Sequence, residues 1–125
     1  MPWAVEYTDE FGRWWESLSA AAQEDVAAVV GALEALGPRL GHPYSSDLRD
    51  ARDGVLRELR VQHRGRPLRI VYAFDPRRVA VLLLGGDKSG QRRWYAGAIR
   101  QAERLYTEHL EQLRREGGSD GAEVE

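Results

Sequence analysis

Cysteine is absent from the 125 residues, which excludes a disulfide scaffold and any thiolate metal centre and is compatible with the reducing cytoplasm expected for this chain. No apolar run approaches the length of a membrane span, so no membrane association is expected. The start, Met1-Pro2-Trp3-Ala4-Val5-Glu6, has neither a basic leader nor a small-residue cleavage site, and reads as an unprocessed, soluble protein. His42, His63 and His109 lack metal-ligand spacing, and neither a Ser/His/Asp arrangement nor an inward carboxylate pair is evident. No metal or cofactor is expected. Gly85-Gly86-Asp87-Lys88-Ser89-Gly90 superficially resembles a phosphate loop but lacks the Walker spacing. A chain of this length holds one core rather than two.

What is present in excess is arginine in the middle of the chain. The net charge of -2 is the sum of unlike parts. Residues 1–48 carry two Lys/Arg against eight Asp/Glu, residues 49–100 carry 13 against five, and residues 101–125 carry three against seven. A basic centre is flanked by acidic ends, and a basic stretch of this kind suits a polyanion.

Trp3, Val5 and Tyr7 alternate with Ala4 and Glu6 as in a short strand. Thr8 is a helix cap followed by Asp9 and Glu10, and Phe11, Trp14, Trp15 and Leu18 recur at helical spacing. Ser19 caps a second helix, with Ala22, Val26, Val29, Val30, Leu33 and Leu36 on one stripe and Gly37-Pro38 as its stop. Residues 39–53 lose periodicity and read as a loop of about 15 residues, a length at which loops are often functional. Three strands are expected near 55–63, 68–75 and 78–85, the last apolar on both faces and therefore central. A helix from about Arg92 to Arg115 follows, with Tyr95, Ala98, Ile99, Ala102, Leu105, Tyr106 and Leu113 inward. The expected architecture is α+β: an N-terminal strand, a helical hairpin, an antiparallel three-stranded meander and a C-terminal helix. The domain spans 1–116, and 117–125 form an acidic tail with the composition of disorder.

Alternation along the strands puts Val55, Leu59 and Val61 on one face, and Glu58 and Arg60 on the other. In the next strand Leu68, Ile70, Tyr72 and Phe74 are apolar, and Arg69 lies opposite. The strands join at Arg64-Gly65-Arg66-Pro67, where a two-residue loop sets Arg60 directly across from Arg69 and a four-residue loop makes them diagonal neighbours. Like charges across a ladder cost up to roughly 1 kcal/mol, so stability alone does not select the pair. A phosphate would satisfy both planar forks, with Arg57, Arg64, Arg66, Arg92, Arg93 and Lys88 widening the basic surface. The competing reading is of solvated charges neutralised by Glu58, Asp87 or the acidic helices. His63 is a candidate acid or base. Trp94 and Tyr95, beside Arg92-Arg93, have the chemistry to stack on bases or to enter the core.

Taken in order, the strand, the helical hairpin, Leu56-Arg57-Glu58-Leu59-Arg60, Leu68-Arg69-Ile70-Val71-Tyr72 and Leu82-Leu83-Leu84-Gly85-Gly86-Asp87-Lys88 resemble the RelE/HigB toxin superfamily, in its phage-derived Gp49-like, HigB-type branch. The resemblance covers about residues 3–112. It implies a RelE-like domain acting as the toxin of a type II toxin-antitoxin pair. That toxin is a metal-independent endoribonuclease that cuts messenger RNA in the ribosome, inhibits translation and is silenced by a helix-turn-helix, HigA-like antitoxin. Arg60, Arg69 and Lys88 then correspond to the family's basic catalytic residues, with His63 and Tyr95 as acid/base candidates. Two departures stand out: Asp87-Lys88-Ser89 replaces a paired lysine, and the chain is slightly acidic overall. The alternatives are a ParE-like toxin acting on gyrase and an inactive toxin-like binding or regulatory protein.

Overall fold

A computed structural model describes residues 2–48, 51, 54–89 and 93–124, the last seven of them without side chains. After β1 (Val5–Tyr7), the Thr8 hydroxyl accepts from the Phe11 amide at 3.0 Å, which starts α1 (Asp9–Ser17), and donates to Leu83 O at 2.6 Å. One side chain thus caps a helix and ties it to the sheet. Ser19 caps α2 (Ala20–Leu36) in the same way through the Ala22 amide. The expected loop is interrupted by β2 (Ser45–Asp47), a strand that three polar residues do not announce. The meander follows as β3 (Arg57–His63), β4 (Arg66–Phe74) and β5 (Ala80–Asp87), then α3 (Trp94–Val124).

The sheet has five strands in the order β1-β5-β4-β3-β2, with β1 parallel to β5 and the other pairs antiparallel. Thus β5 is an inner strand, and β4 holds the centre. Arg64 and Gly65 make the two-residue turn with φ of 51° and 80°, a conformation glycine adopts at little cost. This shorter loop sets Arg60 against Arg69. Leu59, Val61, Leu68, Ile70, Tyr72 and Leu82 pack under Phe11, Val26 and Leu33 of the helical hairpin. The opposite face, with Val71, Ala73, Val81 and Leu83, lies under Ala98, Ile99, Ala102 and Leu105 of α3. Val55 lies before β3 and is exposed, so the face of Leu59 and Val61 does not reach back to it, while its neighbour Leu56 fills the core on the opposite, α3 side, the face of Glu58 and Arg60.

A bulge in β5 shifts its register against β4, so that Val71 faces Leu84 and Tyr72 faces Leu82. Beyond it Gly86 lies opposite Arg69, and a Cβ there would come within 2.7 Å of the Trp94 indole. The first turn of α3 therefore sits close beside the Arg69 ladder position. The α3 backbone runs on to Val124, through the segment read from composition as a tail; with no proline after Pro76, nothing covalent interrupts helix propagation.

Far from this region, the fully buried Asp75 carboxylate accepts from Arg77 at 2.7 Å and from His109 at 2.9 Å, joining the β4–β5 turn to α3. Burial pushes its pKa up, but hydrogen bonds from Arg77, His109 and the Val79 and Arg77 amides outweigh this and hold it below 3.8. A depressed carboxylate pKa stabilises the fold above the unfolded value and loses that contribution as pH falls through the folded one. Asp75→Asn should therefore lower stability by about 2 to 3 kcal/mol in urea titrations at neutral pH. The difference from the parent should narrow below pH 3.8.

Candidate functional site

On the α3 side of the hairpin, β3 presents Glu58 and Arg60 and β4 presents Arg69, while the start of α3 lowers Tyr95 onto them. Glu58 Oε1 lies 3.4 Å from Arg60 Nε and 3.2 Å from Arg69 Nε, and accepts from the Tyr95 hydroxyl at 2.9 Å. Arg69 Nε also reaches the Tyr95 oxygen at 3.3 Å, and its NH1 donates to Leu68 O at 3.0 Å. The pair expected to need an external anion is thus bridged by an internal carboxylate, the competing reading given above. Two guanidiniums around one carboxylate still leave an excess positive charge, and Lys88 adds to it with Nζ 5.3 Å from the centre of the Tyr95 ring.

Exposure separates the two arginines. The Glu58 side chain is 5% exposed, Arg69 10% and Arg60 31%. Arg69 is a buried member of a fully satisfied cluster: among the described residues no buried side-chain nitrogen or oxygen lacks a partner. Arg60 reaches the surface, where its NH1 meets His42 Nδ1 at 3.0 Å. Burial, followed by the acceptor carboxylate of Glu58, holds the Tyr95 phenol above its ordinary 10. It therefore remains a donor near neutrality and is unsuited to act as a base.

The structure brings together Arg60, Arg69, Lys88 and Tyr95, but not every residue expected there. His63 shares its side of β3 with Leu59 and Val61 and contacts Asp25 of α2 at 2.6 Å, on the opposite face of the sheet. Alternation makes that outcome unavoidable, because residue 63 is an odd number of positions from Arg60. Arg57 obeys the same parity: it binds Tyr72 Oη at 3.1 Å and Leu40 O at 3.3 Å and is paired with Asp47, so it fastens β2 to β3. Arg66 pairs with Asp87 at 2.6 Å. Hydrogen bonds from Ser89, then the Arg66 contact, bring Asp87 down to about 2. Arg64 is exposed at the hairpin tip. Arg93 lines a cleft with Glu10, Gly85 and Gln101, and Arg92 lies outside the described residues. Glu58 entered the sequence reading only as a neutralising partner, on the Arg60 face where the structure finds it; the residue missed by sequence reasoning is His42, whose approach depends on the path of a loop.

With this geometry in hand, the fold finds its counterpart. The RelE–RelB complex from Pyrococcus horikoshii OT3 contains a chain that superposes with a TM-score of 0.54 at 17% identity, covering 72% of this chain and 99% of that one. The architecture is RelE-like. At the sequence level, the family described as "Phage derived protein Gp49-like (DUF891)" matches residues 13–107, and the chain belongs to it. HigB2 of Mycobacterium tuberculosis (strain ATCC 25618 / H37Rv), whose name assigns it as a toxin, is 36% identical over 89% of this chain, which spans 56% of HigB2. HigB3 of the same organism, likewise named a toxin, is 40% identical over 77% of this chain and 83% of its own length.

Proposed function

We propose that the protein is the toxin of a type II toxin-antitoxin pair. It acts in the cytoplasm as a metal-independent endoribonuclease on messenger RNA at the ribosome, held silent by a helix-turn-helix, HigA-like antitoxin. The observation that carries this reading is the anchoring of two guanidiniums through Nε on Glu58, with Lys88 alongside. Fixed cations are what a phosphodiester needs when its 2'-hydroxyl attacks the adjacent phosphorus and charge accumulates on the phosphoryl oxygens. Pre-positioning by Glu58 avoids reorganising the arginines during the reaction. Arg60 is the accessible clamp, Arg69 its buried support, and Lys88 stabilises the oxyanion or the departing 5'-oxygen. Support also comes from membership of the Gp49-like family and from the toxins among its relatives.

Expression alone should arrest growth, and co-expression with the cognate antitoxin should relieve it and yield a stable complex. Arrest without any effect on RNA, accompanied by trapped gyrase, would favour the ParE-like alternative. No arrest and no partner would favour an inactive relative.

RNA affinity should also report the basic surface. Each phosphate neutralised on a single strand contributes a slope of about -0.7 to log K against log salt, so engagement of Arg60 and Lys88 predicts a slope of about -1.4 or steeper. A salt-independent affinity would contradict phosphate binding by these residues.

A further inference from the structure

His42 lies in the segment between α2 and β2, which is folded back on itself at Gly41 and fastened by two contacts to the strand carrying Arg60. The Tyr44 and Ser45 amides donate to Gly41 O at 3.0 Å, the Arg60 amide donates to Tyr44 O at 2.8 Å, and Ser45 pairs with Leu59 in the sheet. The His42 ring consequently reaches Arg60, with Nδ1 3.0 Å from NH1. A guanidinium is charged and has no acceptor, so Nδ1 is the accepting atom in this contact. The proton of the neutral imidazole is then on Nε2, and a residue on the exposed rim of the site has an N–H donor at its outer ring nitrogen.

Such a donor offers the cluster something its arginines and Lys88 cannot. Another cation would add to the repulsion among groups already close together, whereas a neutral N–H donates a hydrogen bond without that cost. The same tautomer argues against His42 as the base, because the nitrogen that would accept the 2'-hydroxyl proton already carries one.

We propose that His42 contacts the substrate, donating Nε2–H to a non-bridging oxygen of the phosphodiester held by Arg60. This rests on the RNA-cleavage reading above and adds to it a residue from the 39–53 loop.

The test uses His42→Ala and His42→Gln in the full chain, the glutamine restoring an acceptor for Arg60 and an outward N–H donor. Affinity is measured for a single-stranded RNA whose cleavage position carries a 2'-deoxyribose and cannot react. Single-turnover cleavage is measured on the all-ribose RNA, free and ribosome-bound. The alanine variant should bind about tenfold more weakly and cleave about 10- to 100-fold more slowly, with an unchanged melting temperature, and the glutamine variant should recover most of both. Ring nitrogen NMR should show His42 protonated at Nε2. Equal affinity and rate in the parent and the alanine variant overturn the proposal, as does a ring protonated at Nδ1. So does restoration of the alanine variant by a substrate with a 5'-bridging sulfur, because that result makes His42 the leaving-group acid. If the parent binds RNA without cleaving it, the ribonuclease reading fails and the deoxy-RNA affinities still decide the role of His42.

Discussion

Arg60→Ala should slow RNA cleavage by about a hundredfold or more while leaving the fold intact. Its side chain is 31% exposed and shares Glu58 with a second guanidinium, so its loss leaves that buried carboxylate paired with Arg69 and bonded to Tyr95. What disappears is the accessible positive fork, and losing one pre-positioned donor to the transition state costs about 2.7 to 4 kcal/mol of barrier. Melting curves should shift little, because a partly solvated ion pair contributes little to stability. A variant that is stable and fully active would remove Arg60 from the mechanism.

Arg69→Ala is expected to lose activity for a different reason. The sequence alone argues that deleting one of two facing charges is neutral or stabilising, but Glu58 reverses the sign. At 5% and 10% exposure, Glu58 and Arg69 form a buried pair, and removing one partner from such a pair costs about 3 to 5 kcal/mol. The Tyr95 hydroxyl would lose its Arg69 contact, and the Leu68 carbonyl its donor. Urea denaturation should show the destabilisation, and RNA cleavage should fall further than for Arg60→Ala, through both unfolding and the lost support of Glu58. A melting temperature unchanged in Arg69→Ala would contradict the buried-pair account.

The contrast between the two arginines shows what alternation can and cannot deliver. The turn residues Arg64-Gly65-Arg66-Pro67 and the apolar faces of β3 and β4 are local signals, so the proximity of Arg60 and Arg69 was legible, as were the caps at Thr8 and Ser19, whereas the choice between direct and diagonal opposition hung on the loop length that the fold sets at two residues. Side-chain depth was not, since it depends on how α3 descends over Gly86 and brings Tyr95 to Glu58. Grouping cations by sequence proximity was less informative than parity: Arg57 and His63 lie on the far face although both neighbour Arg60 in sequence. The parallel pairing of β1 with β5 joins residues about 75 positions apart and leaves no local trace. β2 is equally silent, because Ser45-Ser46-Asp47 owes its strand geometry to pairing with β3 and to the buried contact between Ser45 and Tyr72 at 2.6 Å.

The central claim is that the Arg60–Glu58–Arg69 cluster with Lys88 cleaves RNA without a metal. The most direct measurement maps RNA ends after incubating the purified protein, stripped of metal by prior dialysis against chelator, with translating ribosomes, alongside folded Arg60→Ala. The account predicts new internal ends bearing 2',3'-cyclic phosphates for the parent, and at least about a hundredfold fewer for the variant. Ends with a free 3'-hydroxyl and a 5'-phosphate, the products of attack by water, or ends that the variant produces equally well, would contradict it.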